Sequence, residues 1–138
     1  MNKVLLFVFL LCSIIGLAQD RIVSSDQLEE KSDVMYVIGE DSPYTGKSFT
    51  KYKTGEKGMA GNYVNGLKDG DWVWWYQNGT KKKFVQYSKG VKNGQTVYWY
   101  KNGQKKSEMI FENDKNIKQM CWDENGNRIP NPTLEQFR

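Results

Sequence analysis

Gly70-Asp71-Trp72-Val73-Trp74-Trp75-Tyr76-Gln77-Asn78-Gly79 decides the fold, because the chain repeats it. A step of 24 residues forward lands on Gly94, then on Val97-Tyr98-Trp99-Tyr100-Lys101-Asn102-Gly103. The same step back lands on Gly46, then on Phe49-Thr50-Lys51-Tyr52-Lys53-Thr54-Gly55. It also carries Gly66 onto Gly90, and Tyr63 onto Tyr87 and Phe111. A shorter fourth copy, Met120-Cys121-Trp122-Asp123-Glu124-Asn125-Gly126, runs one residue out of step. A fixed period of this size marks a repeat architecture, in which each unit is stabilised by stacking on its neighbours.

Within a unit the signals are those of a β-hairpin. Asp71 to Tyr76 is aromatic and β-branched, which favours strand. Asn78-Gly79 follows, and a type I′ turn needs positive φ at both central positions. Lys81 to Tyr87 is the return strand, and Ser88 to Gly94 a longer glycine-rich connection. A two-residue loop sets Tyr76 against Lys81, Trp75 against Lys82, Trp74 against Lys83, Val73 against Phe84 and Trp72 against Val85. Alternation then places Trp72, Trp74, Tyr76, Val85 and Tyr87 on one face and Val73, Trp75 and Phe84 on the other. In the next unit Thr96, Tyr98, Tyr100, Met109 and Phe111 share the first face. The expected fold is all-β, a single-layer antiparallel meander of consecutive hairpins whose wide rings shield one another. Lysines opposite the rings suit cation–π contact. With strands ~4.8 Å apart, about three and a half units give a ribbon on the order of 35 Å long.

The flanks divide the chain further. Residues 1–18 have a positive start at Lys3, an apolar run from Val4 to Leu17 and a small residue, Ala18, at a cleavage position. That is the pattern of a secretory signal peptide, and the run is short of the ~20 residues that span a bilayer. Leu11 before Cys12, and the apolar run beyond it, argue against lipidation there. The expected destination is export, to the periplasm, the cell surface or the medium. Residues 19–43 lie outside the repeat: a polar leader or short helix around Gln27-Leu28-Glu29-Glu30, then Val34 to Ile38 as a lead-in strand capping the first unit. The repeat domain is 44–127. Residues 128–138, with Pro130 and Pro132, read as a tail in which Leu134 and Phe137 dock.

Composition narrows the chemistry. The chain has no histidine and a formal net charge of +4. Ser-His-Asp and Cys-His nucleophile systems are therefore closed to it. Once Cys12 is cleaved away, Cys121 has no partner within the chain for a disulfide, and its place in a strand reads as structural. A carboxylate pair across units, from Asp69, Asp71, Glu108 or Glu112, is the remaining route to a hydrolase. Asp123-Glu124-Asn125-Gly126-Asn127 has closely spaced oxygens, as calcium loops do, but no distal glutamate, and it aligns with a hairpin turn. No catalytic, metal or cofactor residue is assigned. The small basic excess and the export signal speak against nucleic acid.

The pattern Gly-x-Trp-x-x-x-Tyr-x-Asn-Gly, a strand ending in an aromatic, then x-x-Gly-x-x-x-Gly, resembles the MORN repeat. It is closest to the bacterial variant described as YwqK-family antitoxin-like. Gly70, Trp72, Tyr76, Asn78, Gly79, Tyr87, Gly90 and Gly94 carry the pattern in full. The unit after it has Thr96 for the tryptophan; the one before has Ser48 there and Thr54 for the asparagine. The similarity covers Tyr44 to Gly126. It implies a non-enzymatic module that binds a protein, as an antitoxin or immunity protein does; an export signal departs from a cytoplasmic antitoxin. The alternative is an envelope binder of phospholipid headgroups or glycan. The residues expected to meet the partner are Trp72, Trp74, Tyr76, Tyr98 and Tyr100, rigid amphipathic rings on the first face.

Overall fold

The structure is a computed structural model that describes residues 21–131. The segment read as a signal peptide, Leu134 and Phe137 lie outside the described residues. The strands are β1 (Ile22–Ser24), β2 (Leu28–Lys31), β3 (Val34–Val37), β4 (Gly46–Lys51), β5 (Lys57–Val64) and β6 (Leu67–Trp75), then β7 (Lys81–Ser88), β8 (Val91–Trp99), β9 (Lys105–Glu112), β10 (Lys115–Trp122) and β11 (Arg128–Ile129). Nine of them form one sheet in the order β1-β4-β5-β6-β7-β8-β9-β10-β11, and β2 pairs with β3 separately. The expected all-β meander of consecutive antiparallel hairpins is the observed fold.

The two kinds of turn are the reverse of the expected assignment. The Asn78-Gly79 end is a three-residue loop: Gly79 N–H donates to Tyr76 O at 2.9 Å and Tyr76 N–H to Thr80 O at 2.8 Å. Only Gly79 has positive φ there (84°), the arrangement of a type I turn closed by a glycine bulge. The tight two-residue turns lie at the other end, where a long connection was expected. Asn65-Gly66 joins the paired Val64 and Leu67, Lys89-Gly90 joins Ser88 and Val91, and Asn113-Asp114 joins Glu112 and Lys115. All six turn residues have φ between 47° and 87°, as a type I′ turn demands. The strands therefore run longer than expected. Gly70 and Gly94 sit inside β6 and β8 at positive φ (72° and 110°), beside register shifts that let the strands continue.

The repeated side chains fasten one hairpin to the next. Tyr52 Oη–H donates to Trp75 O at 2.8 Å, Tyr76 Oη–H to Trp99 O at 2.8 Å and Tyr100 Oη–H to Trp122 O at 3.0 Å. Asn78 and Asn102 do the same through Nδ2, to Lys101 O and Glu124 O. At the opposite end the turn amides of Gly66, Gly90 and Asp114 donate to Tyr44 O, Lys68 O and Lys92 O. Each unit is thus held at both ends by its successor. Tyr76→Phe removes one such bond from the middle of the stack, and urea denaturation should show a loss of about 1 kcal/mol with the fold retained.

Burial concentrates in one row across the strands. Trp72, Val85, Thr96 and Ser48 are each no more than 2 % exposed. Tyr63 meets Trp72 edge-on at 4.9 Å, and Tyr87 and Trp74 pack on it at 6.3 and 5.9 Å. The N-terminal segment completes this core in a way the sequence reading missed. Of the expected short helix only one 3-10 turn, Ser25–Gln27, is present; Glu29 and Glu30 are in a strand, because β2 and β3 form a hairpin whose Leu28, Met35 and Val37 pack against Tyr44, Tyr63 and Trp72. Met35 N–H donates to Gly66 O and Tyr44 N–H to Met35 O, tying the hairpin to the first tight turn. The strand that caps the sheet edge is β1, parallel to β4, and not the Val34–Val37 segment. At the other end β11 pairs with Cys121 and Trp122, so the sheet extends past residue 127 into the segment read as a tail.

Burial of Tyr63 pushes its hydroxyl from 10.0 up to about 12. The folded state then holds the neutral phenol while the unfolded chain ionises near pH 10, so this contribution is whole below pH 10 and is lost as pH rises through 12. Burial, and then neighbouring lysines, hold Lys68 and Lys83 below 10.5. Their cost to folding is relieved as pH rises and is gone above 10.5, so beyond that they no longer offset the loss at Tyr63, to which Tyr44 and Tyr87, also raised by burial, add. Denaturant titrations up to about pH 12 should show stability falling once pH passes 10.5, and Tyr63→Phe should reduce that fall.

Candidate functional site

The face opposite Trp72 carries a continuous row that begins with a change of register. Trp74 pairs with Lys83, but the next pair is Trp75 with Lys81, leaving Lys82 as the extra residue of a bulge. The same shift sets Trp99 against Lys105 and Lys51 against Lys57, and Trp122 pairs with Arg128. Crossing the sheet from β5 to β11 gives Lys57, Trp75, Lys81, Trp99, Lys105, Trp122 and Arg128, with cation and indole alternating strand by strand. Each lysine reaches forward over the next hairpin's ring: Lys57 over Trp75 at 5.9 Å, Lys81 over Trp99 at 5.9 Å and Lys105 over Trp122 at 5.5 Å. The lysines are exposed and the indoles half-buried. The ring's negative face holds the ammonium while its charge stays in water.

Shallow grooves flank both ends of this ladder. One, of about 320 Å³, is bordered by Phe49, Lys51, Lys57, Ala60 and Trp75. The other, of about 210 Å³, lies between Gln104, Lys105, Trp122 and Gly126. Lys105 also pairs with Glu108 at 2.7 Å, and with Gln95 it holds that carboxyl below the usual range. Row after row, the ladder offers positive charge beside flat apolar surface, which suits an elongated acidic ligand with rings or apolar groups between its charges.

The five expected contact residues lie elsewhere and do not form one open patch. Trp72 is 1 % exposed, so it belongs to the core and cannot anchor a partner. Tyr76 and Tyr100 spend their hydroxyls on the next hairpin's carbonyls. Trp74 and Tyr98 come together around Lys83, at 4.6 and 5.5 Å from its ammonium. The ladder residues were visible in the sequence as Lys57, Lys81 and Lys105 at one step, and Trp75 and Trp99 at the same step. The assumed two-residue loop hid them by setting Lys82 opposite Trp75.

The remaining chemical candidates resolve as structure. Asp71 accepts from Gln86 and Glu108 from Gln95, and their strands, β6 and β9, are three spacings apart, about 14 Å. Asp69 accepts from the Lys89 amide. Asp123 Oδ1 accepts from the amides of Asn125 and Asn127, which makes that segment a fourth hairpin turn. Among the described residues no group of three His, Cys, Asp or Glu side chains is placed to hold a metal ion. Cys121 is buried in its strand.

Fold and ladder together define a β-hairpin repeat protein with one face packed, around Tyr63 and Trp72, under its own N-terminal hairpin and the other lined by alternating lysine and tryptophan. No protein-family model, curated protein or solved structure matches the chain.

Proposed function

We propose that this chain is an exported, non-enzymatic MORN-like repeat protein that docks a protein partner. The docking face is the Lys57-to-Arg128 ladder in place of the expected Trp72 face. One observation carries the reading: solvent-facing cations and half-buried indoles alternate without interruption across seven strands. A sheet needs neither for its own pairing. An immunity-like role, in which the partner is a toxin held inactive, is one form of such docking. Aromatic anchors beside desolvated charge are the usual centre of a protein interface.

The test is recovery of partner from the envelope fraction of the producing cells, comparing the native protein with Trp99→Ala and, on the opposite face, Tyr98→Ala. A discrete protein lost with Trp99→Ala and kept with Tyr98→Ala supports the ladder. Equal recovery by native protein and folded Trp99→Ala overturns it.

A further inference from the structure

We infer that the ladder takes an acidic polyproline II segment of its partner, with an acidic side chain at every third residue and proline between. This rests on the docking reading above and specifies its ligand.

Lys57, Lys81 and Lys105 lie on β5, β7 and β9, so successive lysine positions on the backbone are separated by two strand spacings. At ~4.8 Å per strand that is about 9.6 Å. A polyproline II helix has three residues per turn and rises ~3.1 Å per residue, so it returns a side chain to the same side every ~9.3 Å. An extended strand returns one every ~6.8 Å and falls out of step at once. An α-helix needs seven residues, ~10.5 Å, and so loses about 0.9 Å per unit. Polyproline II keeps pace with the row, meeting Lys57 and Lys81 directly and, at Lys105, an ammonium shared with Glu108 at 2.7 Å.

The chemistry between the charges agrees. Trp75, Trp99 and Trp122 stand one strand beyond each lysine, half-buried, and present ring surface where the intervening prolines would lie. Proline-rich segments dock on aromatic-lined grooves because they are ordered before binding and lose little entropy. Arg128, paired with Trp122, continues the positive charge at the end of the row. The ordinary ligands of such grooves need not be acidic; the lysines of this row require that charge.

The experiment titrates the protein, by tryptophan fluorescence at low salt, with a synthetic peptide of four Pro-Pro-Glu triplets. Controls are the same residues with the four glutamates together at one end, a Pro-Pro-Gln version and an oligogalacturonate. The triplet peptide should bind about tenfold tighter than the rearranged one. Lys81→Gln should weaken it about fivefold at most, the range of one exposed ion pair, and Lys89→Gln on a turn at the other end should not change it. Equal binding of the rearranged peptide, or tighter binding of the oligogalacturonate, overturns the inference. If either occurs while Trp99→Ala still loses the cellular partner, the docking reading stands and this ligand alone is wrong. If Trp99→Ala keeps that partner, the docking reading itself falls.

Discussion

Trp72→Ala should cost about 3–5 kcal/mol, the largest loss of any single truncation in the chain. That is a large part of the ~5–15 kcal/mol that holds a domain of this size. Trp72 is 1 % exposed and touches the rings of Tyr63, Tyr87 and Trp74. Its indole N–H donates to Asn62 O at 3.1 Å. Lys68 rests over it at 5.1 Å, and Met35 and Val37 of the N-terminal hairpin pack on the same cluster. Truncation therefore opens a cavity between the sheet and a hairpin that Tyr44, Tyr63 and the Met35 backbone bonds hold in place, so the gap cannot simply close. Gly61 makes the converse point. A Cβ there would lie 2.1 Å from Trp72 Cδ2, so Gly61→Ala overpacks the same spot and should also destabilise, by about 1–3 kcal/mol. Urea denaturation followed by circular dichroism reads both. Half-buried Trp74→Ala is the comparison, and a Trp72→Ala loss no greater than that of Trp74→Ala would show that the core is centred elsewhere.

Reversing two ladder charges, Lys57→Glu with Lys81→Glu, should weaken partner binding about hundredfold while the melting temperature moves by only a few degrees. Both side chains are exposed, and each contributes to folding only a surface cation–π contact, at 5.9 Å from Trp75 and Trp99. Such contacts are worth about 0.5–1 kcal/mol each. For an acidic ligand the same change replaces attraction by repulsion at two successive units. Native affinity should also fall as salt is raised, since exposed charges are screened within ~8 Å at physiological ionic strength. Binding unchanged in the folded double variant, measured on the recovered partner, would remove charge from the recognition.

Much of this architecture was legible because it is periodic. The 24-residue step names the hairpins, and Trp74 against Lys83, Val73 against Phe84 and Trp72 against Val85 are the pairs that alternation predicts. What failed was local turn chemistry. Asn-Gly suits a type I′ turn, yet Asn78 serves the next hairpin through Nδ2 and takes the Thr80 amide on Oδ1, and those bonds favour the three-residue loop. One extra residue in that loop re-aimed Lys81 and Lys82 and concealed the ladder.

The sequence by itself determined the class of fold, the length of the repeat and the side-chain alternation, because hydrogen-bonded strands of period two and glycine turns are properties of a few neighbouring residues. Only the tertiary structure decided which aromatic face is used up. The hairpin of residues 28–37 settles over Tyr63 and Trp72, far from it in sequence, because those rings would otherwise stay in water. That choice covers the first units of the Trp72 face and leaves the lysine–tryptophan row clear of the hairpin.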